Sequence, residues 1–475
     1  MFHASMRWDI GPESVFVMEW PALLMNIEKE NEREPSRPKL ADLFCKENTV
    51  TEISRNIPSI EKLGGAIESF FELSRRINEG KPQKYWYPLS MPTYGTEEVL
   101  QALDSLCSFQ TTMGEKTLEF EKRFADHQNS VGAVMVNSGS SADLLMCHLL
   151  VDPIRPLLAP GSEVLAPVVT WPTQLWSVMM AGLKLKLVDV DPGTLNIDLA
   201  DLERSITPNT KALFLVHLMG NPCPMDRIQE IAQEHGLIII EDCCEALDST
   251  YAGVKVGNFG LCGSYSFFFS HHMTTMEGGM VVCHDEELAD RLKMLRAHGW
   301  LRNVDDSKFP LDSYGVDPRY AFVDWGLNLR PTELQAGFGL CQLEKLPGFN
   351  QRRKLLAKRF FTALDRSQYL SFPSVDPRAD PCWFALPILV KTDAPFTRRD
   401  MTDYLESQGI ETRPIVAGNI ARQPVARLFP EFTTRVFQGA DKIHENGFYM
   451  GLSPLFSERM VDQLLDTLQT YLNRF

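Results

Sequence analysis

What most restricts the fold of this chain is the alternation between Val131 and Ile240. Apolar runs at Val131 to Val136, Gly161 to Val169, Leu183 to Asp189, Ala212 to His217 and Leu237 to Ile240 are separated by stretches with helical spacing, such as Leu199 to Ile206 and Asp226 to His235. The runs are continuously apolar rather than alternating, as strands covered on both faces require. Strand, crossover helix, strand is the pattern of a mostly parallel sheet in an α/β fold. Such sheets bind ligands outside the carboxyl ends of their strands. The polar residues that close each run are therefore the first candidates for a site.

The first run ends in Asn137-Ser138-Gly139-Ser140-Ser141-Ala142 and a helix follows. Small residues between a strand and a helix free backbone N–H groups at the positive helix end, a cradle for phosphate; an ordinary serine N-cap has the same spelling. Trp171 closes the second run, where a core or interface role is the plainer alternative. Asp242, after Glu241, closes the fifth and can be a ligand-facing acid or a helix cap. Next comes Cys262 to Val281, CGSYSFFFSHHMTTMEGGMV, which reads as strand, polar loop, strand. It contains Ser266, the pair His271-His272, and Glu277-Gly278-Gly279. Adjacent histidines cannot both face one side of a strand, so at least one can point into a pocket. Further along, His298 lies in a basic, aromatic loop, Asn328 precedes a helix start at Thr332, and Arg413 is a lone arginine before Pro414. Helices are expected over Ile60 to Asn78, Thr332 to Leu346 and Gln351 to Leu364.

Bulk properties exclude several classes. The 475 residues carry a formal net charge of −15, which argues against nucleic acid as the main partner. No window of about 18 uninterrupted apolar residues is present, and no membrane span is expected. The N-terminal residues lack a secretory pattern, so a cytoplasmic location is expected. Ten cysteines include no C-x-x-C pair, which argues against a metal site or a disulfide framework. Three regions are expected: an extension over 1–82, partly helical and with an exposed charged linker at Glu28 to Lys39; a large α/β domain over 83–350; and a smaller α+β domain over 351–475.

The Cys262 to Val281 stretch resembles the cofactor-lysine segment of the DegT/DnrJ/EryC1/StrS sugar aminotransferase superfamily. That segment reads Ser-Phe, three residues, Lys, then a tail ending Glu-Gly-Gly. Ser266-Phe267 and Glu277-Gly278-Gly279 fit, and His271 stands in the lysine slot. Histidine there marks the branch that removes the C3 hydroxyl of nucleotide-linked 4-keto-6-deoxy sugars. The resemblance implies fold type I, the aspartate-aminotransferase-like architecture with a mostly parallel central sheet. It implies pyridoxal 5'-phosphate and its amine form as cofactor. Ser140, Ser141 and Ser266 would hold the cofactor phosphate end, Trp171 would cover the ring, Asp242 would face its nitrogen, and Asn328 would reach the phosphate of a neighbouring subunit. His298 and Arg413 would face substrate.

An imidazole cannot replace the amine of lysine as a covalent anchor, but it can move protons near neutral pH. The implied reaction is loss of the C3 hydroxyl with His271 as base, and glutamate restoring the amine form. A homodimer with shared active sites is implied. Leu295 to Asp312 holds no cysteine, so the cluster-free type, with no iron–sulfur reductase partner, is expected. An ordinary nucleotide-sugar aminotransferase is one alternative, weakened because no lysine occurs between Lys255 and Lys293. A non-catalytic homologue that only binds cofactor or sugar nucleotide is another.

Overall fold

The five apolar runs form strands β1 (Gly132–Val136), β2 (Glu163–Pro167), β3 (Lys184–Val188), β4 (Thr210–Val216) and β5 (Ile238–Asp242) in a computed structural model that describes residues 60–78, 84–302, 304, 309 and 311–475. A small hairpin of β6 (Thr250–Tyr251) and β7 (Val254–Lys255) follows, then β8 (Cys262–Ser266) and β9 (Gly279–Cys283). Seven strands make one sheet in the order β1-β9-β8-β5-β4-β2-β3. Only β9 runs against its neighbours, β1 and β8; the other pairings are parallel. All five residues of β9 are buried, as a central strand covered on both faces requires.

The C-terminal part adds β10 (Leu370–Ser371), β11 (Ala379–Asp380), β12 (Leu386–Val390), β13 (Thr412–Pro414) and β14 (Gly447–Met450). An antiparallel sheet has the order β10-β12-β14-β13, while β11 pairs with β6. The predicted helix over Ile60–Asn78 forms. The predicted charged linker at Glu28 to Lys39 lies outside the described residues. Among the described residues no helix is long and apolar enough to cross a membrane.

One expectation is corrected. Thr332 to Leu346 and Gln351 to Leu364 are not two helices but one, Glu333–Leu364, with Pro347 inside it. Proline removes one backbone hydrogen bond and would stop an isolated helix. Here both flanks are held by burial. Leu343 and Leu346 pack with Phe120, Phe124 and Phe267, and Leu356, Phe360 and Leu364 join the core that includes Leu386 and Ile388. A capping box between Thr332 and Gln335 secures the start. Packing outweighs the local breaker.

Candidate active site

The carboxyl ends of β1, β5 and β8 open onto a cleft of about 500 Å³ whose walls include Ser140, Trp171, Asp242, Ser266, His271 and Arg413. Six positions singled out in the sequence, spread over more than 270 residues, thus meet at one place. A second cavity of about 90 Å³, beside Asp152 and Arg291, contains none of them.

The β1 end is shaped by two glycines. A Cβ on Gly139 would stand 2.5 Å from Cβ of Ser266, and a Cβ on Gly279 would stand 2.3 Å from the Ser138 carbonyl oxygen. Only hydrogen at both positions lets the turn settle on the β8–β9 hairpin. Ser138 caps the helix Gly139–Leu150: its Oγ accepts from the Ser141 N–H at 3.1 Å. Ser140 is exposed to the cleft, and its hydroxyl lies 3.0 Å from that of Thr173. Ser141 is turned into the cap and is not a cleft wall. The free N–H groups and the helix dipole make this an anion site.

At the β5 end, Asp242 is buried at 3 % exposure and accepts from the Cys244 N–H at 2.8 Å. Its neighbour Glu241 faces the other way. Glu241 accepts from the N–H groups of Gly257, Phe259 and Gly260 and from His217, which fixes the strand end. A second carboxyl, Asp143, also lines the cleft and accepts from Ser264 Oγ at 2.6 Å. Carboxylate oxygens of Asp143 and Asp242 and the Cys244 sulfur lie within 4.8 Å of one another. Burial pushes both carboxyls up, and the charge of Asp242 lifts Asp143 further. The pair is therefore harder to ionise than exposed acids are, Asp143 more so than Asp242. A cation placed against Asp242 would complete it, and a protonated pyridine nitrogen is such a cation. The small-residue turn and the buried acid together fit pyridoxal phosphate.

His271 lies in the loop between β8 and β9. Its Nδ1 is 2.7 Å from the Cys244 carbonyl oxygen. A carbonyl has no proton to give, so Nδ1–H donates and the lone pair of the neutral ring is on Nε2. Burial is the main cause that holds the imidazole down, to about 4, against the opposing pull of that hydrogen bond. His271 is thus a neutral, base-ready group at neutral pH. His272 is fully buried and bonds the Cys382 carbonyl at 2.9 Å, away from the cleft walls.

Trp171 is 60 % exposed on the cleft wall, with a flat face available for stacking. Arg413 is half exposed and is held by Glu411 at 2.7 Å. His298 and Asn328 are exposed and are not walls of this cleft; Asn328 accepts from Arg330 Nε at 2.9 Å. The sequence reading missed Asp143, Glu245, Phe384 and Tyr449, which also line the cleft. Asp143 stands one helical turn after Gly139, a spacing that could have flagged it. Phe384 and Tyr449 come from the C-terminal sheet region, where no local pattern announces them.

The pattern of the DegT/DnrJ/EryC1/StrS aminotransferase family matches residues 92–469. GDP-4-keto-6-deoxy-D-mannose 3-dehydratase of Yersinia pseudotuberculosis is 35% identical over 390 residues, 81% of this chain and 98% of that protein. The solved E. coli GDP-4-keto-6-deoxy-D-mannose-3-dehydratase with bound hydrated PLP superposes with TM-score 0.75 at 35% identity, over 81% of this chain and 99% of that one. A GDP-4-keto-6-deoxymannose-3-dehydratase structure with a trapped PLP-glutamate geminal diamine gives TM-score 0.74 at 35% identity, over 80% and 100%.

Proposed function

We propose, given that this chain belongs to the DegT/DnrJ/EryC1/StrS aminotransferase family, that His271 is the proton-transfer residue of its reaction. The chain is a pyridoxal 5'-phosphate and pyridoxamine 5'-phosphate enzyme with the fold type I architecture. It removes the C3 hydroxyl of a nucleotide-linked 4-keto-6-deoxy hexose, with glutamate as the co-substrate that restores the amine cofactor. The observation that carries the assignment of His271 is its tautomer: Nδ1 is committed to the Cys244 carbonyl, and Nε2 is left as a base.

When bound, the cofactor supplies an amine for the C4 ketone and an electron sink for the carbon that loses its proton. Ser140, Ser266 and the backbone of the Gly139 turn would hold its phosphate, with Ser141 fixing that turn from the cap. Trp171 would cover one ring face, and Asp242 would face the ring nitrogen and favour its protonated form. His271 takes a proton at Nε2 and returns it to the departing C3 oxygen, which leaves as water. The C4 ketone is regained as ammonia is released, and glutamate leaves as 2-oxoglutarate. Arg413 clamps an anionic group, the glutamate carboxylate or the substrate phosphates.

Asn328 and His298 are assigned to the cleft of a partner subunit, so the active unit is a homodimer. Their exposure away from their own cleft supports this, as does the exposed ring of Phe268 on the cleft wall. An aminotransferase would need a lysine at the cleft, and among the described residues none lines it. The test is incubation with pyridoxal phosphate, glutamate and a panel of nucleotide-linked 4-keto-6-deoxy hexoses that includes the GDP-mannose derivative. A product lighter by one oxygen, with one ammonia per turnover, is expected. An amino sugar without ammonia release would overturn the reading.

A further inference from the structure

Behind the His271 loop lies a buried cation, Arg353, with no counter-ion among the described residues. Arg353, on the helix Glu333–Leu364, is 2 % exposed. Its guanidinium reaches only carbonyl oxygens: Nη1 donates to Phe384 at 3.1 Å and to Leu452, and Nη2 donates to His271 at 3.4 Å. Among the described residues no carboxylate lies within ion-pair distance of it. Burying an unpaired charge is costly, and carbonyl dipoles offset only part of that cost. Burial lowers the group to about 10, so it is still a cation at neutral pH.

Three chain segments converge on this one fork. One carries His271. The second carries Phe384, a cleft wall whose ring centroid is 5.1 Å from that of His271. The third, at Leu452, follows β14, which contributes Tyr449 to the same cleft. The fixed planar donors of arginine suit such a junction; the single ammonium of lysine cannot reproduce the fork.

We infer that Arg353 is the positioning residue for the base of this reaction, tying the backbone of His271 to the cleft walls and placing a fixed positive charge behind its ring. The inference rests on the proposed role of His271. A like charge behind the imidazole disfavours its protonated form, and Arg353 acts in that direction, after burial and the opposing Cys244 hydrogen bond. The same loop and cleft also present Asp143, Asp242, Cys244, Glu245, Glu277, His272, Arg413 and Tyr449 as titratable groups. Of these, His272 also feels the Arg353 charge, which lowers it after burial, so the two rings are followed separately.

The test uses full-length protein, Arg353→Gln and Arg353→Lys, with two readouts. The first is NMR titration of the His271 ring in histidine-labelled protein, assigned with His271→Asn; it does not depend on turnover. The second is the acid limb of kcat/KM for sugar dehydration. In Arg353→Gln the proton affinity of the His271 ring should rise roughly tenfold, and the acid limb should move up with it. Arg353→Lys should leave the titration near the wild-type position and lower kcat, because charge is kept and the fork is lost. A folded Arg353→Gln with unshifted ring titration overturns the inference. If that variant does not fold, Arg353→Lys decides: wild-type kcat, or a ring titration displaced as if charge were gone, overturns it. Failure of the proposed function would show differently, as wild-type enzyme that releases no ammonia while the ring still titrates as described.

Discussion

Gly279 is where the cleft can be probed with a single methyl group. It pairs with Val136 and with Ser266 at the neck of the His271 loop. A Cβ there would lie 2.3 Å from the Ser138 carbonyl oxygen, 2.5 Å from its carbon and 2.7 Å from the Gly139 nitrogen. Contacts below 3.0 Å are not tolerated, so the hairpin and the turn must part by at least about 0.7 Å. The opposing atoms are backbone and cannot rotate aside. Overpacking of this kind costs roughly 1–3 kcal/mol. One of the displaced atoms, the Gly139 nitrogen, carries an N–H donor of the anion site. Loss of one hydrogen bond to a charged group, roughly 1.5–3 kcal/mol, weakens binding roughly ten- to more than a hundredfold. Gly279→Ala should therefore melt a few degrees lower and bind pyridoxal 5'-phosphate at least about tenfold more weakly, read by tryptophan fluorescence during titration. Gly65→Ala is the control: nothing lies within 4 Å of its Cβ and it sits inside a helix. Cofactor affinity in Gly279→Ala within twofold of wild type, at an unchanged melting temperature, would refute the assignment of this turn.

Three further outcomes follow from the same geometry. His271→Asn should keep cofactor affinity and melting temperature while dehydration falls at least roughly a hundredfold, and the wild-type rate should show no loss through His271 protonation above about pH 5 (an acid limb at the ordinary histidine value would contradict the burial argument). Burial alone would raise the Asp248 carboxyl, but His127 at 2.8 Å and Lys255 at 2.7 Å hold it well below the usual range. Its stabilisation is thus present above about pH 4 and is lost as pH falls toward the depressed native value; the urea midpoints of wild type and Asp248→Asn should differ at pH 7 and converge in acid, and a gap independent of pH would count against it. Burial lifts Glu245 to about 7, only partly opposed by the Met219 N–H. Its contribution is complete below its unfolded value and declines as pH rises through 7, so Glu245→Gln should gain melting temperature over wild type between pH 5 and pH 8 and gain nothing below; an equal gain at every pH would rule this out.

The sheet could be read from sequence because its strands are continuous apolar runs, and burial on both faces leaves no other use for them. Pro347 misled for the opposite reason: a residue-level breaker is visible in sequence, whereas the two cores that override it are not. The site divides the same way. Asp242, Trp171 and the Gly139 turn were legible because they close strands in a fold whose ligands sit at strand ends. His271 was legible through its frame of Ser266 and Glu277-Gly278-Gly279, which fixes a slot whatever fills it. Phe384, Tyr449 and Arg353 were not legible. Phe384 and Tyr449 line the cleft and Arg353 lies behind it, all more than 80 residues after His271, and they act by packing and by carbonyl contacts that have no sequence pattern.

The helix from Glu333 to Leu364 belongs to two interiors at once, one beside β8 and β9 and one beneath the C-terminal sheet. Cutting the gene anywhere along it would expose an apolar stripe on each product. Truncated versions meant to isolate either half should therefore aggregate, and heating the intact chain should give one sharp endotherm instead of a staircase.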